Sequence, residues 1–216
     1  MSNKKISPVL KILFKKYKTP KTTLNLMRKK SNPYKILISC LLSLRTRDEN
    51  TEKVSDKLFK IADTPEKIIK MPMKKLEKII FSSGHYKKKA ATLKHVTSEI
   101  IRKFNSKVPS TREELLSIKG VGPKTANVVL AFAYGKKVIP VDVNVHRVTN
   151  RLAWVKTKTA EKTEPLLHKI IPKKYWKEFN SIFVQFGKEI CQPISPKCSI
   201  CPISKFCPKI GIKRSR

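Results

Sequence analysis

"SIKGVGPKTANVVL", residues 117–130, places two glycines within three positions, then a proline and a lysine, directly ahead of an apolar run. Proline at the head of an apolar stretch marks the first turn of a helix. Upstream, Ser110 and Glu113 form a capping-box pattern before "ELLSI", so another helix precedes the turn. The stretch therefore reads as two helices joined by a glycine hairpin. Two roles fit it: a plain interhelical turn, or a cradle for a phosphate with an amine held beside it. In the second role Gly120 and Gly122 adopt φ > 0 and let the backbone approach a phosphate with no Cβ in the way. Amides of the turn and of the helix N-terminus act as donors, and the helix dipole favours an anion there.

The same helical period runs through the chain. Ile6, Val9, Leu10, Leu13, Phe14 and Tyr17 recur at helical spacing between lysines, and no alternating strand pattern stands out. Thr64-Pro65-Glu66 supplies a cap, a first-turn proline and a first-turn acid. Thr159 with Glu161 opens a helix running to Ile171, ahead of Pro172. Short connections complete the picture of a compact all-α fold with about ten helices. One segment departs from the pattern. Val138 to Val141 is a short extended run ending at Asp142, after which Val145, Val148 and Leu152 return to helical spacing. Asp142 falls at the N-cap, where the helix dipole favours a carboxylate.

Lys and Arg number 49 against 15 Asp and Glu, a formal charge of +34 over 216 residues. Such an excess costs self-repulsion, which fits either a polyanionic partner or a lysine-rich proteome. The start lacks the apolar core and cleavage site of a signal peptide, and "ILISCLLSL" is too short to span a bilayer. The chain is expected to be intracellular, cytoplasmic or nucleoid-associated, with no membrane partner, and monomeric. A disulfide framework does not suit that compartment. Yet four of five cysteines crowd together as C-x6-C-x2-C-x5-C: Cys191, Cys198, Cys201 and Cys207. Four thiolates at that spacing suit a tetrahedral zinc or a cuboidal iron–sulfur centre, and spacing alone does not separate the two. Cys40, within an apolar helix, reads as a small core residue.

"SIKGVGPKTANVVL", "VDVNVHRV" and the four-cysteine tail, in this order and with Lys124 and Asp142 eighteen positions apart, resemble the endonuclease III family of helix-hairpin-helix DNA glycosylases. "LLSLRTRDENT" and "SSGHYKKKA" are similar to family loops that enter DNA, and "RTRDENT" resembles archaeal members more than bacterial ones. The resemblance implies a six-helix barrel domain, residues 26–136, and a discontinuous cluster domain, 1–25 with 137–216. It implies a [4Fe–4S] cluster on loop 191–207 and a duplex DNA partner, damaged or abasic, lying across the groove between the domains.

The activity implied is that of a bifunctional glycosylase and abasic-site lyase acting on oxidised pyrimidines. Lys124 would attack the sugar of an extruded nucleotide, and Asp142 would stabilise the cationic intermediate and assist proton transfer. Lys124 as a mere phosphate contact is the plainer alternative. A uracil or thymine mismatch glycosylase and a non-enzymatic duplex binder are the competing functions. DNA contacts are expected from Lys119, Gly120, Val121, Gly122, Thr125, Arg45, Thr46, Asp48, His85, Lys87 and Arg147. Arg45 replaces a family glutamine, and His85 stands at a wedge that is usually apolar. Asn144 stands where relatives often have histidine and receives no role. Lys87, Lys88 and Lys89 read as one solvated basic face, and His95, His146 and His168 as surface or packing residues.

Overall fold

The protein was analysed as a computed structural model that describes residues 6–18, 32–44, 46 and 48–216. Among these residues there is no strand, in agreement with the all-α expectation. No helix among them is long and apolar enough to cross a membrane. Chain contacts divide the protein into two compact units, Thr23–Lys136 and Met1–Thr22 with Lys137–Arg216.

The first unit holds α2 (Pro33–Ser43), α3 (Asp48–Ile61), α4 (Pro65–Lys70), α5 (Met73–Ile80), α6 (Tyr86–Phe104), α7 (Arg112–Ser117) and α8 (Pro123–Phe132). A helix apolar on every side belongs in a core. Helix α2 is such a helix: Tyr34, Ile36, Leu37, Ile38, Cys40, Leu41 and Leu42 are all buried. It packs against α3, α6 and α8. Helix α8 is buried from Thr125 to Phe132, so only its first turn reaches the surface. Caps fix the starts. Asn32 Oδ1 accepts the Tyr34 amide ahead of α2, and Thr64 Oγ1 accepts the Lys67 amide ahead of α4, with Pro33 and Pro65 in the first turns. The box expected at Ser110 and Glu113 sits one residue later. Thr111 caps α7 by accepting the Glu114 amide, and its hydroxyl meets the Glu114 carboxylate. Two serial Ser/Thr and two serial Glu made the register ambiguous, and burial of Leu115 on the inner face selects Thr111.

The second unit is built from α1 (Ile6–Lys16), α9 (Val143–Arg151), α10 (Ala160–Ile170) and α11 (Trp176–Glu189). Ile6, Val9, Leu10 and Leu13 of α1 join Val145 and Val148 of α9 and Phe179, Phe183 and Phe186 of α11 in one apolar cluster. Phe179 and Phe183 stack at 4.1 Å between ring centres. The extended run 138–141 enters this unit without strand partners. Its backbone is satisfied by side chains: the Ile139 amide donates to His168 Nε2 at 3.0 Å, and Asn180 Nδ2 donates to the Pro140 carbonyl at 2.9 Å.

Candidate catalytic residues, hairpin and cluster loop

In the hairpin between α7 and α8, Gly120 has φ +104°, a region that side chains rarely adopt. A Cβ there would meet Thr92 Cγ2 at 3.1 Å and Val96 Cγ2 at 3.3 Å, so the turn is seated against α6. Gly122 corrects the expectation. Its φ of −90° and ψ of 173° are extended backbone open to any residue, and a Cβ there meets nothing within 4 Å. Val121 is corrected as well: it is buried, and its amide donates to the Ile118 carbonyl at 3.0 Å. The Thr125 side chain is buried too. Pro123 has no N–H and the Ala126 amide closes the helix onto the Gly122 carbonyl, so the first-turn donors are the amides of Lys124 and Thr125. Lys119 and Gly122 are exposed beside them.

Gly120→Ala is therefore expected to lower stability by about 1–3 kcal/mol, read in thermal denaturation. Gly122→Ala should leave Tm nearly unchanged and weaken duplex binding, because the added methyl would stand in open space on the exposed hairpin. Equal Tm losses in both variants would contradict this division.

Lys124 is the second residue of α8 and is half-exposed, unlike the fully buried residues that follow it. Its side chain lies near α2. Burial pushes the Cys40 thiol up to about 12, and the Lys124 charge opposes that rise. Cys40 is the core residue its surroundings suggested.

Asp142 caps α9. Its Oδ1 accepts the amides of Asn144 at 2.9 Å and Val145 at 2.8 Å, while Oδ2 accepts Asn144 Nδ2 at 2.9 Å. Four lone-pair directions are thus largely assigned, and the carboxylate is held in one orientation while half-exposed. Asn144, given no role from sequence, is what orients it. Asn144 Oδ1 in turn accepts Arg147 Nη2 at 2.8 Å. Arg147 was expected on DNA. Instead its Nε donates to the Cys191 carbonyl at 3.0 Å and its Nη2 to the Gly187 carbonyl at 2.9 Å. Close packing at Gly187, where a Cβ would lie 3.0 Å from Asn144 Cβ, locks the same corner.

Cys191, Cys198, Cys201 and Cys207 line one cavity together with Leu152, Phe186 and Ile190. Burial pushes the Cys201 thiol up to about 11 and raises Cys207, and the neighbouring thiols add to both shifts. A cationic centre would reverse that preference by binding the thiolates. Donors already face the sulfurs: Arg151 Nη1 lies 3.4 Å from Cys191 Sγ and the Lys209 amide 3.4 Å from Cys207 Sγ. Among the described residues no three His, Cys, Asp or Glu side chains gather closely enough to hold a single ion. Four thiols around one shared cavity are a donor set that suits a metal or iron–sulfur centre. Arg151, buried and donating to Gln192 and Pro193 carbonyls at 2.6 and 2.8 Å, fixes the loop that carries Cys191, a role with no advance signal beyond its place one helical turn after Arg147.

Of the residues expected to enter DNA, Arg45 and the Asp48 side chain lie outside the described residues. Thr46 is half-buried and His85 and Lys87 are exposed, His85 with left-handed backbone at φ 50°. Lys89 corrects the solvated-face reading. It is 8% exposed and faces inward, whereas Lys87 and Lys88 face outward. All three lysines lie at the start of α6, and the helical phase turns the third to the core side.

Residues 38–173 match the model of the HhH-GPD superfamily of base excision DNA repair proteins. Endonuclease III of Thermotoga maritima is 44% identical over 83% of this chain and 84% of its own length. A trapped covalent intermediate of endonuclease III with DNA superposes with a TM-score of 0.89 at 34% identity, over 97% of each chain. A thermostable thymine-DNA glycosylase follows at a TM-score of 0.86 and 30% identity, over 96% of this chain and 97% of that one. With the glycine hairpin, the capped aspartate and the four-cysteine loop all formed by the fold, the chain belongs to the endonuclease III family of the HhH-GPD superfamily of base excision DNA repair proteins.

Proposed function

We propose that the protein is a bifunctional DNA glycosylase and abasic-site lyase that removes oxidised pyrimidines. The observation that carries this reading is Lys124: a half-exposed amine on the first turn of an otherwise buried helix, beside the amide donors of the hairpin. The amides and Lys119 hold backbone phosphate without reading sequence. The damaged nucleotide leaves the stack, because its sugar carbon is otherwise inaccessible. Lys124 Nζ forms a bond to C1′ as the C1′–N bond breaks and its electrons leave with the base. Ring opening gives a protonated Schiff base. Loss of a proton from C2′ then expels the 3′ phosphate by β-elimination, and water releases the lysine from the sugar aldehyde. Asp142 supplies the negative charge that stabilises the cationic sugar and accepts protons during these steps. Asn144 and the capped helix terminus keep its carboxylate aimed.

Cys191, Cys198, Cys201 and Cys207 would hold a [4Fe–4S] cluster, whose place here is structural. The purified protein is expected to be brown, with visible charge-transfer absorbance and about four irons per chain. A colourless protein with one zinc would overturn that assignment. The cluster loop also carries Lys197 and Lys205, cations suited to phosphate.

The likeness to a thymine-DNA glycosylase favours a second reading, a mismatch glycosylase. A panel of single-lesion duplexes with borohydride separates the two. Base release with covalent trapping on oxidised pyrimidines supports the lyase reading. Release of uracil or thymine from mismatches without trapping supports the second. Salt-sensitive binding with neither would leave only a DNA-binding protein.

A further inference from the structure

Lys89 is anomalous in a chain whose lysines crowd the surface. It is 8% exposed at the head of α6. Its Nζ donates to the Leu42 carbonyl at 2.7 Å, to Thr46 Oγ1 at 2.5 Å and to the Ser83 carbonyl. Three oxygens use all three N–H bonds of an ammonium. Thr46 Oγ1 also donates to the Ser83 carbonyl, so hydroxyl, carbonyl and ammonium form one closed node. All three acceptors are uncharged. Burial pulls the amine down to about 8, while the oxygens favour its charged form. A methionine would fill the space without desolvating a charge. A lysine here buys geometry: it ties the exit of α2 to a segment about forty residues away.

The Ser83 segment leads directly to a surface tip. Ser83 is buried, and the next two residues, Gly84 at φ 60° and His85 at φ 50°, turn outward in left-handed backbone. His85, Tyr86, Lys87 and Lys88 line an open, cationic surface pocket. Thr46 lies on the other segment.

We propose that Lys89 is a positioning residue for lesion recognition. Its ammonium fixes the Thr46 segment and the Gly84–His85 tip in one register, so that a deformable, damaged duplex is accepted and a stiff, intact one is not. This rests on the glycosylase reading above. Without the node the surface keeps its charges, so attraction to intact duplex persists while the preference for damage is lost.

Equilibrium binding of the full chain to an intact duplex and to one bearing a tetrahydrofuran abasic analogue, which cannot be cleaved, tests this. Lys89→Met is expected to lower the preference for the analogue by at least roughly tenfold, with intact-duplex affinity held within about twofold. Lys89→Arg, which keeps a cationic donor, should restore part of it, and Thr46→Val should lower the preference about threefold. An unchanged preference in Lys89→Met overturns the proposal. Should that variant unfold by circular dichroism, unchanged preference in Thr46→Val overturns it instead. Wild-type protein with no preference at all would instead refute the glycosylase reading on which the clamp depends.

Discussion

Lys124→Ala is expected to abolish borohydride trapping on an abasic-site duplex and to slow strand cleavage by roughly three orders of magnitude or more. The residue is well placed for a clean deletion. It sits half-exposed on the first turn of α8, ahead of the buried run Thr125 to Phe132 that holds the helix in the core. Alanine is a strong helix former, so Tm should move by only a few degrees. Binding and chemistry therefore come apart in this variant. Were Lys124 only a phosphate contact, its loss would flatten the salt dependence of binding by about 0.9 in log–log slope and leave trapping intact. The nucleophile reading requires the reverse: binding nearly preserved, covalent chemistry gone.

Asp142→Asn is expected to cost about two to four orders of magnitude in single-turnover rate while the protein stays folded. Two roles overlap at this residue, and the substitution separates them. As a cap, Asp142 accepts the Asn144 and Val145 amides through Oδ1. Asparagine caps about as well, so that contribution survives. What disappears is the negative charge, together with acceptance by Oδ2 of the Asn144 amide group. Asp142→Ala removes the cap too, and should lose about 1 kcal/mol of stability beyond the asparagine variant. A rate loss in Asp142→Ala with none in Asp142→Asn would assign the residue to the helix and not to the reaction.

Much of this was legible in the sequence because it is written in local chemistry. Glycine, proline and an apolar run mark the hairpin wherever they occur, and Asp142 announces a helix start by the change of period behind it. The cysteine crowd needs no fold to be noticed. What escaped is long-range. Lys89 looks like Lys87 and Lys88 until the helix phase sends it inward to acceptors more than forty residues away. Arg147 reads as one more cation for DNA, yet the carbonyls of Gly187 and Cys191 claim it. Asn144 departs from the family pattern and still makes the bond that orients Asp142. Gly122 shows a subtler error: two glycines close together suggested two left-handed residues, whereas only Gly120 is one, and Gly122 keeps a surface clear. Polar side chains are assigned by what the tertiary structure leaves unsatisfied, which no window of sequence contains.

The attachment point of the trapped adduct tests the central claim most directly. Wild-type protein is reduced with borohydride on an abasic-site duplex, digested with nuclease and protease, and analysed by tandem mass spectrometry. The sugar-phosphate remnant should lie on Lys124 in the peptide that spans the hairpin and the start of α8. A remnant on any other amine, the chain's N-terminus included, or an unmodified Lys124 beside ample trapped product, would contradict it.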